Sequence, residues 1–303
     1  MSSLIESSSV DSFTRLKGRF LEKTNEICIL PSGVIEAFRL AADPDCQVDK
    51  FARAIEQDVN LAVEVLKMAN SPLFSAESPV SNLKQAAVRL GMRRCRNLIV
   101  STCVCGMMKE MPLEVEWARD VLNIHSNLTA TAATLINDEF GLGFVGEEYT
   151  AGLLHDFGRL AFAATLVDDF STLDELSFDE SDEILLREQE LIGTDHCEFG
   201  SWFVESISFP SELVESVRWH HHSFGAASLK NQPLVSLIRT ADHFANFVQR
   251  EEPVINYQPI TNEGLRELSR LSQRDSLVSE FASKVESFVS QIKAVECSDG
   301  GGI

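Results

Sequence analysis

Basic side chains are scarce in this chain: Lys+Arg total 26 against Asp+Glu 46, a formal net charge of −20. So negative a surface repels phosphate backbones, which excludes nucleic-acid binding unless a local basic patch works against the whole field. Long apolar runs are missing as well. The longest, NLIVSTCVCGMM, contains polar residues and falls well short of the roughly 20 residues a membrane span needs. The N-terminus, MSSLIESSSVDSF, lacks the positive charge and apolar stretch of an export signal, so a cytoplasmic protein is expected. The cysteines (Cys28, Cys46, Cys95, Cys103, Cys105, Cys197, Cys297) form no C-x-x-C pair, which fits reduced, mostly buried thiols better than a disulfide frame or a thiolate zinc site. Histidine is absent before residue 125 and after residue 243. What remains is 44% hydrophobic, enough for a real core, and the 303 residues make one large or two ordinary domains.

Nearly every periodic segment reads as helix. In FARAIEQDVNLAVEVLKMAN, the apolar positions Phe51, Ile55, Leu61, Val65, Leu66 and Met68 recur at near-helical spacing, and a turn at Asp58 predicts two short helices. Asp43-Pro44, Asn70-Ser71-Pro72, Ser78-Pro79, Met111-Pro112, Phe209-Pro210 and Gln232-Pro233 punctuate the chain. No alternating βαβ pattern and no fixed-period repeat is visible, so the expected class is all-α. The expected organisation is a disordered tail over 1–12, an N-terminal helical part over 13–112, a histidine-bearing helical part over 113–250, further helices over 251–297 and a tail over 298–303. Between 168 and 190, ten acidic residues face a single Arg, which reads as a solvated loop or surface helix. Lys84, Arg89, Arg93, Arg94 and Arg96 form one basic cluster that could meet a phosphate or an acidic partner.

The histidines sit on inward-facing stripes. His125 joins Val121, Leu128, Ala132 and Leu135 on one face. In AGLLHDFGRLAFAATL, read as one helical stretch, Gly152, His155, Asp156, Arg159 and Ala163 gather beside the apolar side. His220 and His221 follow Leu213, Val214 and Val217, and Asp242 lies next to Leu234, Ile238 and Ala241 on a helix opened by Pro233. Burying an unpaired carboxylate among imidazoles costs several kcal/mol per ion, and a divalent cation removes that cost. Mixed imidazole and carboxylate donors suit Zn, Mn, Fe or Ni, and an aspartate can bridge two such ions at roughly 3.5–4 Å. Singly, an inward histidine is most often a hydrogen-bonded core residue. His125, His155-Asp156, His196, His220-His221 and Asp242 come from five separate segments, which is how a helical bundle builds a metal site.

The order H … HD … H … HH … D resembles the HD superfamily of metal-dependent phosphohydrolases, especially its two-metal HD-GYP branch. LPSGVIEAFRLAADPDCQVDKFARAIEQDVNLAVEVLKMANSPLF, AAVRLGMRRCRNLIVS and TDHCEFGSWFVESISFPSELVESVRWHH resemble the HDOD family, the HD-related output domain of bacterial signalling proteins. The similarity runs from about Leu30 to about Asn246. The resemblance implies an HD-like bundle and the metal ligands His125, His155, Asp156, His196, His220, His221 and Asp242, with Asp156 bridging two divalent transition-metal ions. It places Arg159 where related enzymes carry a lysine near the scissile phosphate, so Asp156 and Arg159 are the implied catalytic pair. His222 and His243 fall outside the pattern. After His221 the chain runs HSFGAASL, without the DGxGYP-like element of cyclic di-GMP hydrolases.

Two functions are open. One is a regulatory output module that binds a signalling protein partner or a small phosphorylated ligand. The other is a metal-dependent phosphohydrolase acting on a phosphodiester or nucleotide. The negative surface, which opposes an anionic substrate, weighs toward the first.

Overall fold

A computed structural model describes residues 2–24, 36–37, 40, 45–70, 79–111, 113, 116–166, 170–178, 183–207, 209–222, 225, 227–228 and 230–299. Pro44, Pro72 and Pro112, with most of LPSGVIEAFRLAADPD and all but Asn70 of NSPLF, lie outside the described residues. Among those described, every regular element is a helix and there is no strand.

The chain opens with α1 (Ser2–Thr24). The turn at Asp58 does divide the next segment: α2 (Val48–Ile55) ends before it, and α3 (Val59–Ala69) starts with the Asp58 carboxylate accepting the Leu61 N–H at 2.9 Å. Asn82 caps α4 (Leu83–Leu90) in the same way, and Gly91, at φ 81°, lets the chain turn directly into α5 (Met92–Glu110). Phe51, Ile55, Leu61, Val65, Leu83, Cys95 and Ile99 fill a small core between these helices.

A larger core is built by α6 (Glu116–Phe140), α7 (Glu147–Leu154), α8 (Phe157–Thr165), the single turn α9 (Phe170–Leu173), α11 (His196–Ser206), α12 (Ser211–Trp219), α13 (Gln232–Gln249), α14 (Glu263–Leu271) and α15 (Leu277–Asp299). Between α9 and α11 lies α10 (Glu183–Ile192). The long α13 packs on α6, α7 and α14, and α11 packs on α8 and α12. Phe157, Phe162, Phe199, Phe244 and Phe281 are fully buried there, each contributing about 1.5–3 kcal/mol of transfer free energy.

The two cores meet inside α5, not at residue 112. Cys95 and Ile99 belong to the small core, whereas Val104, Met107 and Met108, two turns further on, belong to the large one. The sequence also predicts a disordered tail over 1–12, yet α1 begins at Ser2. Its second half is anchored in the large core: Phe20 lies edge-on to Phe199 and Phe203, and Arg19 and Lys23 donate to the terminal carbonyls of α8, Thr165 and Ala164, at 2.8 and 2.9 Å. A helix nucleated by docking extends at the small cost of one residue per added hydrogen bond. At the other end, α15 runs to Asp299, past the expected start of the tail at 298.

The stretch AGLLHDFGRLAFAATL is not one helix. It breaks at His155-Asp156, between α7 and α8. The break lets both flanks approach their neighbours closely. A Cβ at Gly152 would stand 2.5 Å from the Ala130 Cα on α6, and one at Gly158 only 2.0 Å from the His196 carbonyl oxygen. Gly158→Ala is therefore expected to destabilise the protein by about 3 kcal/mol or more, the upper range for overpacking, measured as the shift in urea midpoint. A change below about 1 kcal/mol would mean that the two backbones are not in contact.

Candidate metal centre

Five segments converge at the break. His125 comes from the middle of α6, His155 and Asp156 from the turn, His196 from the first residue of α11, His220 and His221 from just beyond α12, and Asp242 from the middle of α13. Asp156 occupies the N-cap position of α8 but accepts no capping hydrogen bond, which leaves its carboxylate directed at the rings. Its Oδ2 lies 3.5 Å from His125 Nε2 and 3.6 Å from His155 Nε2; its Oδ1 lies 3.5 Å from His196 Nε2 and 3.4 Å from His220 Nε2. Asp242 Oδ1 adds a second carboxylate to the first pair, 3.1 Å from His125 Nε2 and 3.6 Å from His155 Nε2.

The outer nitrogen of each of these four rings is held. His125 Nδ1 meets Gln249 Oε1 at 3.0 Å, His155 Nδ1 the Gly152 carbonyl at 2.7 Å, His196 Nδ1 the Glu188 carboxylate at 2.8 Å, and His220 Nδ1 the Val217 carbonyl at 2.8 Å. An Nδ1–H donated outward fixes the tautomer and leaves the Nε2 lone pair pointing inward, the arrangement a cation requires. The inner atoms have few other partners. Asp156 Oδ1 and His196 Nε2 are buried and make no hydrogen bond. The donors form two groups, His125–His155–Asp156 and Asp156–His196–His220–His221, with all ligand atoms in each within 4.8 Å of one another and Asp156 common to both. Imidazole and carboxylate donors grouped in this way fit a divalent metal ion.

The charges of the cluster act strongly on one another. Burial alone would raise the Asp156 carboxyl, but His155, Arg159, His220 and His196 outweigh it and hold the group well below the usual carboxylate range. Asp242 is likewise held low against burial by the adjoining His125 and His155 rings. Burial opposes charge on His220, yet the Cys197 sulfur and Asp156 raise it to about 10. Burial and the neighbouring His220 and His196 push His221 well down. The sign for His220 follows: its stabilising contribution is complete below about pH 6.5, the ordinary histidine value, and is lost as pH rises through about 10. A cation must displace that proton, so its apparent affinity is expected to climb from pH 6 to pH 9 with proton release. Calorimetric Zn²⁺ titration in buffers of different ionisation enthalpy measures the release; uptake without it would contradict the assignment.

Arg159 does not stand free beside the cluster. Its Nε and Nη2 donate to both oxygens of Asp174 at 2.7 and 2.9 Å, its Nη1 donates to Asp156 Oδ2 at 2.8 Å, and the Phe178 ring lies 5.0 Å from the guanidinium carbon. The same ring stacks on His125 with centroids 4.5 Å apart. Asp174 and Glu188 both lie in the acidic stretch that the sequence reads as solvated surface, and both are buried. Neither is distinguishable by residue type or spacing from its exposed acidic neighbours. His243, outside the ligand pattern, lines the wall of a 510 Å³ cavity that opens over Asp156, His220, His221 and Asp242. In the basic cluster, Lys84 pairs with Asp49 at 2.7 Å and Arg89 donates to the Ala69 carbonyl; the side chains of Arg93 and Arg96 lie outside the described residues.

The HDOD domain profile matches residues 27–223, about two thirds of the chain. The chain belongs to the HDOD family. Its fold is similar to that of an HDOD domain protein with unknown function from Geobacter sulfurreducens, at 25% identity and TM-score 0.67 over 93% of this chain and 98% of that one. It is also similar to a candidate phosphohydrolase from Shewanella amazonensis SB2B, at 22% identity and TM-score 0.62 over 91% and 97% of the two chains, a likeness of fold. A curated relative, an uncharacterized protein of Treponema pallidum (strain Nichols), is 24% identical over 242 residues, 79% of this HDOD chain and 46% of the relative, so the chain spans less than half of that protein's length. Among the described residues, no helix is long and apolar enough to cross a membrane.

Proposed function

We propose that this HDOD protein is a cytoplasmic bacterial signalling module whose histidine-aspartate centre holds two divalent transition-metal ions, of Fe, Mn, Ni or Zn, and which acts by binding a protein partner or a small phosphorylated ligand. The metal reading rests on the convergence of four outward-tethered imidazoles on one carboxylate. His125, His155 and Asp242 are the donors on the Oδ2 side of Asp156; His196, His220 and His221 are those on the Oδ1 side. When bound, the cations would neutralise the buried carboxylates and could polarise a phosphoryl oxygen.

The choice of a binding module over a hydrolase rests on Arg159. Its three guanidinium nitrogens all donate to Asp174 or Asp156, so two carboxylates neutralise its charge and it braces the bridging one, although one N–H on each Nη is not used in these bonds. The phosphohydrolase reading draws its support from the cavity over the centre, large enough for a small ligand. Metal analysis of protein purified without chelator, with a panel of phosphodiesters and nucleotides, separates the two. Bound metal with no turnover is the expected result. Turnover by the wild type that vanishes in Asp156→Ala would establish the enzyme.

A further inference from the structure

Glu188 carries an inference that rests on the two-cation reading and goes beyond its ligand set. This carboxylate on α10 is fully buried. Its Oε2 accepts the His196 backbone N–H at 2.8 Å and lies 2.8 Å from His196 Nδ1, with Oε1 at 3.0 Å from the same nitrogen. Among the described residues its one ion-pair partner is His196; no Lys or Arg reaches it. A buried carboxylate supported by a single imidazole needs positive charge nearby, and the far side of that imidazole is the centre itself.

The other tethered rings differ. His125, His155 and His220 lean on the neutral oxygens of Gln249, Gly152 and Val217. Only His196 is backed by a formal negative charge. A carboxylate accepting Nδ1–H fixes the ring and increases the donor strength of Nε2, which a neutral carbonyl does less.

We propose that Glu188 is a positioning residue that orients His196 and strengthens it as a ligand, setting cation affinity on the Asp156–His196–His220–His221 side and not on the His125–His155 side. The two cation positions are thereby made unequal. The acidic stretch between 168 and 190 becomes part of the metal centre through this residue.

Titration of the metal-free full chain with Co²⁺, followed by calorimetry and by the visible absorbance of the bound ion, tests the assignment. Wild type is expected to take up Co²⁺ in two steps, and His125→Ala, which strikes the opposite side, identifies which step is which. Glu188→Gln keeps an acceptor for the backbone N–H but loses the charge; it is expected to weaken the His196 step by about 10–100-fold and alter its absorbance, leaving the other within about threefold. Glu188→Ala should lose more, with Gln a partial rescue, while the Tm of the metal-free Gln variant stays close to wild type. Both steps unchanged in Glu188→Gln would overturn the proposal, reducing Glu188 to a brace for α11. Both steps falling together with a large loss of Tm would overturn it as well. Failure of the wild type to bind Co²⁺ at all would overturn the two-cation reading beneath it, and this proposal with it.

Discussion

Asp174→Ala is expected to destabilise the protein by about 3–5 kcal/mol, read from the urea midpoint at unchanged slope. The residue sits in a segment whose composition promises almost nothing: acidic side chains on a solvated face usually change stability by less than about 0.5 kcal/mol when truncated. Here the side chains of Asp174 and Arg159 are 3% and 7% exposed, and the pair is bidentate. Burial alone would lower the Arg159 pKa, but Asp174, then Asp156, outweighs it and holds the guanidinium well above its ordinary value. Removing Asp174 leaves a buried cation with one carboxylate where it had two, and the Leu176 N–H loses its acceptor. Asp174→Asn, which keeps the shape and one acceptor, should cost less than alanine. A loss below about 1 kcal/mol for Asp174→Ala would place the pair in solvent and remove the reason for setting Arg159 aside as a phosphate contact.

Asp156→Ala is expected to abolish high-affinity cation binding on both sides of the centre at once. Each oxygen of this carboxylate faces a different pair of imidazoles, and among the described residues it is the one member common to both groups of donors. Losing a mere supporting partner costs about 10–100-fold in metal affinity, and the shared ligand should cost more than the top of that range. His125→Ala and His220→Ala, by contrast, should each weaken one side alone. Equilibrium dialysis against Zn²⁺, with bound metal counted per chain, distinguishes these outcomes. Retention of one tightly held ion in Asp156→Ala would show that the two groups do not share a bridge.

Much of the cluster was legible in the sequence because His125, His220, His221 and Asp242 sit on or beside an apolar stripe whose direction is fixed by helical periodicity, whereas His196 came from the family resemblance. His125 among Val121, Leu128 and Leu135, and Asp242 beside Ile238 and Ala241, reveal their inward aim through their neighbours. The family segments supplied the order in which these helices come together. Asp174 and Glu188 gave no such sign. A buried acid and a solvated acid are the same residue type, and what buries these two is contact with Arg159 and His196, which no local pattern encodes. The break at His155-Asp156 escaped for a similar reason. The apolar period runs straight through it, and the close approach of Gly158 to the His196 carbonyl that it permits is a tertiary contact. The start of α1 at Ser2 was hidden because MSSLIESSSV is unremarkable as helix, and what docks the rest of α1 lies in α8 and α11.

The meeting of the two cores inside α5 bears on how movement could pass through the molecule. A flexible joint between lobes is ordinarily a loop whose dihedrals absorb rotation, but here the joint is a 19-residue helix with its first half embedded in one core and its second half in the other. Bending it would break main-chain hydrogen bonds between Ile99 and Val104. Beside that stretch, Asn97 donates to Glu147 and to the Val145 carbonyl at the start of α7, the helix whose far end is the His155-Asp156 turn. A short rod of eight residues, about 12 Å of helix, thus connects this joint to the His155-Asp156 turn at the centre of the cluster.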